Sequence, residues 1–388
     1  MIRVGFVISK SSDSWVGGKN YIINLLHAIL ALPSRRIEPV LIVAPEVSEQ
    51  SLKDFPEVEI VRDGRVSLTS KTRYCGKVLE RVLGRNFILE AVARKYNIQV
   101  LSHSERTGKH SRTPVVSWIP DFQHLRLPQF FSAAEAEDRS EMYARQIDGS
   151  QLVIVSSHDA ATDLSTFRSS GQGKARVLHF VAGFSTASTV TPLADLQRKY
   201  NFSEPYFHIP NQYWAHKNHK IVLEALNVLK KQCRPPLVIS TGQTADYRHP
   251  NFFEDFQKTL NAYDLEENYK ILGLIPYEDL SGIFRNAIAI INPSLFEGWS
   301  TTVEESKSIG KTIILSDIPV HREQNPPHAH FFAPSSAEEL AEKMIFVQDT
   351  FDSAISQRNM EGATSELADR LRIFGETYQQ IVEEAIRT

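Results

Sequence analysis

The stretch from Ala287 to Ile314, AIAIINPSLFEGWSTTVEESKSIGKTII, limits the possible folds more than any other part of this chain. Its opening segment, Ala287–Asn292, is apolar up to its last residue, as a strand must be when both of its faces are buried. A loop with Glu297 and Gly298 follows, and a helix is expected to start near Thr301 or Thr302. Gly310 can end that helix in the left-handed conformation, and a strand resumes at Thr312. Strand, helix and strand in this order make the unit of a parallel sheet, and such sheets bind ligands at the carboxyl ends of their strands.

The first amides of a helix lack intrahelical partners and carry roughly half a positive charge. The amides of Trp299, Ser300, Thr301, Thr302 and Val303 are therefore expected to form an anion site suited to a diphosphate. Glu297 and Glu305 bracket that site and are ill placed to hold phosphate themselves. As acceptors they suit hydroxyl groups, sugar hydroxyls at Glu297 and ribose hydroxyls at Glu305. Taken alone, Glu305 also reads as an ordinary acid in a first helical turn.

The same alternation runs through the whole chain. Val4–Ser9, Pro39–Val43, Val58–Val61, Val100–Ser102, Val115–Ile119, Leu152–Ser156 and Val177–Phe180 read as strands of a first half, with Gly17-Gly18 in a loop. Tyr206–Ile209, Leu237–Thr241, Tyr269–Leu272, Ala287–Asn292 and Thr312–Leu315 read as strands of a second, and helical segments separate them. At 388 residues the chain exceeds one ordinary core. The expectation is an α/β protein of two doubly wound, Rossmann-like domains, residues 1–190 and 195–365. Leu367, Leu371, Phe374, Tyr378, Ile381 and Ala385 stripe a C-terminal helix, 366–388, expected to cross back to the first domain.

A composition of 42% apolar and 23% charged residues is that of a soluble globular protein, and a net charge of −3 points to neither nucleic acid nor membrane. No apolar run approaches the roughly 18 residues that span a bilayer. Cys75 and Cys233 fall in different halves, so a disulfide framework is not expected. The first strand begins at once and no signal peptide is expected, so a cytoplasmic location follows. The charge is uneven, however. Residues 62–112 hold twelve Lys/Arg against four acids, a local excess of +8 that leaves −11 for the remainder.

The spacing Glu297-x7-Glu305 within PSLFEGWSTTVEES resembles the signature of glycosyltransferase family four, whose fold is GT-B. Four further segments resemble that family in order: Gly17-Gly18-x-x-Tyr21; Asp121-x6-Pro128-x-Phe130-Phe131 with Val155-Ser156-Ser157; Phe207–Gln212 followed by Lys217-Asn218; and Ser316–Pro319 with Arg322-Glu323. The resemblance implies two domains facing across a cleft and a retaining transfer of sugar from a nucleotide-diphosphate donor. Gly17 and Gly18 would let backbone approach the donor, and Lys217 would neutralise the leaving diphosphate. Glu297 would touch the sugar and Glu305 the ribose, with the amides of Trp299, Ser300, Thr301 and Thr302, after Gly298, holding sugar and phosphate. The base would lie beside Gly242 and the backbone of Leu274 and Ile275, where Tyr277 would shield it.

The departures from the family pattern bear on chemistry. Asn211-Gln212 stands where Gly-Arg is usual, so one cation for the diphosphate is missing. Pro120 replaces the usual histidine, and its duty falls to Asp121, His124 or the acceptor. The Asn211-Gln212 change also keeps open a donor-binding homologue that has lost catalysis, and an epimerase on the same fold is the other alternative. With no Asp-x-Asp and no convincing ligand spacing, no metal or other cofactor is expected. UDP is the first guess for the donor base, GDP the next. Lys77–Tyr96, read as one basic amphipathic helix with Val78, Val82, Ile88 and Val92 near one face and Arg81 and Arg85 among its cations, suggests peripheral contact with an anionic membrane and a lipid-linked or polysaccharide acceptor.

Overall fold

The computed structural model describes residues 1–9, 16–103, 108–184, 190–203 and 205–387. Of the basic segment, Glu105 and Arg106 lie outside the described residues, as does part of the expected interdomain connection, 185–189. The chain divides into two compact units. The first comprises Met1–Phe122, Ala133–Val181 and Asp369–Thr388, the second Gln123–Ser132 and Ala182–Ala368.

In the first unit seven strands form one parallel sheet among the described residues: β1 (Ile2–Ile8), β2 (Ile37–Val43), β3 (Glu59–Arg62), β4 (Val100–Ser102), β5 (Val115–Ile119), β6 (Leu152–Val155) and β7 (Ala175–Val177). Their order is β3-β2-β1-β4-β5-β6-β7. In the second unit β8 (Tyr206–Ile209), β9 (Leu237–Ser240), β10 (Tyr269–Ile271), β11 (Ile290–Asn292), β12 (Ile313–Ser316) and β13 (Ala329–Phe332) form another parallel sheet, ordered β10-β9-β8-β11-β12-β13. In each sheet the order reverses once, between β1 and β4 and between β8 and β11. Doubly wound sheets bind ligands at such switch points.

The second sheet shows why its strands are apolar at consecutive positions. Phe207, Ile209, Ile291 and Ile314 pack into one core cluster, while Tyr206, Ile290, Ile313 and Leu315 pack into another. Neighbouring residues of a strand point to opposite faces, so two covered faces demand an unbroken apolar run.

Several expectations are corrected here. Gly17 and Gly18 lie in the first turn of the helix Val16–Leu30, not in a loop. Lys77–Tyr96 is two helices, Lys71–Leu83 and Phe87–Lys95. Gly84 ends the first at φ +66°, and the Asn86 side chain caps the second by accepting from the Leu89 amide at 3.0 Å. Val92 is buried, whereas Val82 is 74% exposed, so the four apolar residues do not share one face. β7 stops at Val177 rather than running to Phe180, and β13 has no counterpart among the expected strands.

The last helix, Ser353–Arg387, carries residues of both units. Phe374, Tyr378, Ile381 and Ala385 are buried in the first, and the Tyr378 hydroxyl donates to Ser102 Oγ at 2.8 Å. Gly375 runs so close to the Ala28 carbonyl that a Cβ would lie 2.7 Å from its oxygen. No helix among the described residues is long and apolar enough to cross a membrane.

Candidate active site

The loops leaving β8 and β11 meet at the switch point of the second sheet. After β8, Tyr213 turns fully inward, its ring stacked on His219 at 4.2 Å and its hydroxyl 2.5 Å from Ser240 Oγ. Asn218 then adopts φ 56° and donates from Nδ2 to the carbonyls of Pro293 (3.2 Å) and Pro334 (3.0 Å). The Leu295 amide donates back to the His216 carbonyl at 2.8 Å. Stitched in this way, the two loops bring Lys217 Nζ to 2.6 Å from Glu297 Oε1, with side chains only 19% and 9% exposed.

The helix Thr301–Ser308 begins beside this pair, and Ser300 caps it by accepting from the Val303 amide. The cap is itself held. Asn292, at the end of β11, donates from Nδ2 to Ser300 Oγ at 2.8 Å and accepts on Oδ1 from Ser294 Oγ at 2.8 Å. Ser316 Oγ, at the end of β12, donates to the Ser294 carbonyl at 2.5 Å. Gln324 closes the other side, accepting from the Ser300 amide at 3.1 Å. Of the expected amide row, Ser300 is therefore engaged within the protein, and Val303 is capped. The first-turn amides of Thr301 and Thr302 have no recorded acceptor among the described residues.

The two adjacent glutamates of this helix have different fates. Glu304 is buried and bound by Lys307 at 3.3 Å and by Gln324 Nε2 at 3.1 Å. Glu305 has no recorded cation or donor on its carboxylate among the described residues, and burial pushes its pKa up to about 7. His216, next to Lys217, is driven well below its ordinary range by burial first, then by the charges of Lys217, Arg248 and His219. It adds no positive charge beside the pair.

Gly242, after β9, has φ +127°, and a Cβ there would lie 2.7 Å from the Asn211 carbonyl oxygen. Its amide donates to the Gly273 carbonyl at 2.9 Å, which links the loop after β9 to the turn ahead of Leu274 and Ile275. Asn211 is buried with Oδ1 lacking a partner among the described residues, and the exposed Gln212 accepts from Trp214 Nε1 at 2.7 Å. Leu274 and Tyr277 are exposed, and Trp299 is buried.

The remaining expected residues fall elsewhere. Gly17, Gly18, Arg81, Arg85 and Asp121 belong to the first unit, while the buried His124 groups with the second. Asp121 pairs with Arg139 at 3.6 Å. Glu90 holds the Arg85 guanidinium through three bonds of 2.7–3.1 Å, so this charge is balanced within the fold. Arg62, Arg65, Arg73 and Lys95 are likewise tied to carbonyls, hydroxyls or acids of the fold, so much of the basic excess is structural. Asn218 and Gln324 are the organising residues that sequence reasoning missed. Asn218 closes the 3₁₀ turn Ala215–Lys217, an end at which asparagine readily takes the left-handed conformation, but nothing local marks Gln324.

Residues 196–357 match the sequence model of the family described as Glycosyl transferases group 1. A search of curated protein sequences finds no match. Among solved structures, a glycosyltransferase from Rickettsia africae ESF-5 superposes with a TM-score of 0.68 at 17% identity, covering 98% of each chain. Anabaena HepE in complex with UDP gives 0.67 at 15% identity, covering 99% of this chain and 100% of the other. Sucrose-phosphate synthase from Thermosynechococcus elongatus gives 0.68 at 14%, with the same coverage. The fold is GT-B, and the stretch that matches the group 1 glycosyl transferase model lies within the second unit.

Proposed function

We propose that the protein transfers a hexosyl group, with retention of anomeric configuration, from a nucleotide-diphosphate sugar to an acceptor hydroxyl. The observation that carries this reading is the meeting of Lys217, Glu297 and the Thr301–Ser308 helix start at the β8–β11 switch point. A cation and free helical amides at one point suit a departing diphosphate, and the stabilisation they give is electrostatic. Glu297 then serves the sugar and Glu305 the ribose. UDP is the proposed base carrier, since Anabaena HepE of like fold is described in complexes with UDP and with UDP-glucose. The reaction needs no metal in this scheme, because the Lys217 ammonium and the helical amides supply positive charge to the diphosphate.

Thermal shift against UDP, GDP and ADP, followed by donor turnover in wild type and Lys217→Ala, tests the proposal. Stabilisation by UDP and loss of at least about a hundredfold in turnover are expected. Turnover undiminished in the variant would remove Lys217 from the reaction.

The acceptor is proposed to be carried at an anionic membrane surface, in polysaccharide or glycolipid synthesis, by a protein peripheral to the cytoplasmic face. Support comes from the helix Lys71–Leu83, where Tyr74, Val78 and Val82 follow at four-residue spacing and are 71%, 42% and 74% exposed. Exposed Lys71, Lys77 and Arg81 accompany them. Apolar side chains flanked by cations suit a headgroup layer. Co-sedimentation with anionic but not neutral vesicles, weakened by salt and by Arg81→Glu, is expected. Equal binding to both, or to neither, leaves a soluble acceptor.

A further inference from the structure

Lys217 and Glu297 are assigned to different ends of one donor, yet here each is the other's partner. Their loops leave little room to separate them, since the His216–Leu295 and Asn218–Pro293 bonds fix the backbone on either side. When the Lys217 ammonium turns to a phosphate, the Glu297 carboxylate is therefore left behind in a mostly buried place. Breaking a buried pair by removing one partner is strongly unfavourable, and a phosphate close by adds repulsion between like charges. His216 stays neutral there and offers no replacement cation.

Sugar hydroxyls change this balance. They donate hydrogen bonds to the abandoned carboxylate while the phosphate takes the ammonium, so both halves of the broken pair are satisfied together. A nucleoside diphosphate without sugar brings the phosphate alone and leaves Glu297 uncompensated.

We infer that the Lys217–Glu297 pair is the element that distinguishes the loaded donor from the spent nucleotide. The pair opens for a ligand that serves both partners and recloses once the sugar has gone, which favours release of the nucleoside diphosphate. This inference rests on the nucleotide-sugar reading above and adds the basis of its selectivity.

Calorimetric titration of UDP, GDP and UDP-glucose into wild type, Glu297→Gln and Glu297→Ser tests it. In the variants Lys217 is free in advance, so the bare nucleoside diphosphate that wild type binds should bind about tenfold more tightly. UDP-glucose should gain nothing or weaken, having lost its carboxylate acceptor. The two variants are measured side by side, with thermal unfolding as a control, so that a folding defect in one leaves the other to decide. Unchanged or weaker nucleoside diphosphate binding in a folded variant overturns the inference and leaves the nucleotide-sugar reading standing. Failure of wild type and variants alike to bind UDP, GDP or UDP-glucose overturns that reading, and the inference with it.

Discussion

Gln324 grips both sides of Ser300: its Oε1 accepts from the Ser300 amide at 3.1 Å and its Nε2 donates to the Ser300 carbonyl at 3.0 Å. The same nitrogen lies 3.1 Å from Glu304 Oε1. One amide side chain, itself 2% exposed, thus sets the residue from which the Thr301–Ser308 helix starts.

Gln324→Leu is therefore expected to leave the buried Ser300 amide without a partner, while the carbonyl keeps the Glu304 amide, at a cost of about 1–3 kcal/mol in stability. Nucleoside diphosphate affinity should fall with it, because the Thr301 and Thr302 amides lose their fixed direction. Urea unfolding and calorimetry with UDP read the two effects. Full stability with unchanged affinity would show that the cap is held by Asn292 alone.

Glu305 makes a pH-dependent prediction. Burial raises its pKa from 4.5 to about 7, so the folded protein holds this proton more tightly than the unfolded chain does. Stability from this group is intact below pH 4.5, declines as pH rises through 7, and stays lower above it. Glu305→Gln removes the titration, and at pH 8 the variant should be more stable than wild type by up to about 3 kcal/mol. The two unfolding curves should converge as pH falls toward 4.5. A variant less stable than wild type at pH 8 would mean that the carboxylate is stabilised rather than strained. Binding of a ribose should suffer in the same variant, which would make the instability a cost of function.

Donor turnover should survive EDTA. The expectation follows from the Lys217 ammonium and the start of the Thr301–Ser308 helix, which supply the positive charge a divalent ion would otherwise bring to the diphosphate. Activity lost on chelation and restored by manganese or magnesium would contradict it.

The parallel sheets were readable in the sequence because two buried faces force unbroken apolar runs, as in Ile290–Asn292 and Ile313–Ser316. Edge strand β13, AHFF, escaped because three of its four residues are only half-buried and its pattern is correspondingly weak. Lys217 and Glu297 stood out by resemblance to the family's segments, although eighty positions separate them. Their contact depends on sheet order, which brings β11 beside β8 and which no local pattern records. The basic segment differs from the single helix expected of it. Arg85 serves Glu90, and Gly84 turns one expected helix into two.

The helix Ser353–Arg387 also orders events in time. The first unit's core includes Phe374, Tyr378, Ile381 and Ala385, which leave the ribosome after every strand of both sheets has been made. Domains that emerge early ordinarily fold early. In this chain the second unit has all of its segments available sooner, while the seven-stranded sheet waits with Ser102 and Ala28 uncovered. The half that is translated first is thus the half that finishes last, and a chain cut short near Asp369 would carry a complete second unit and an unfinished first one.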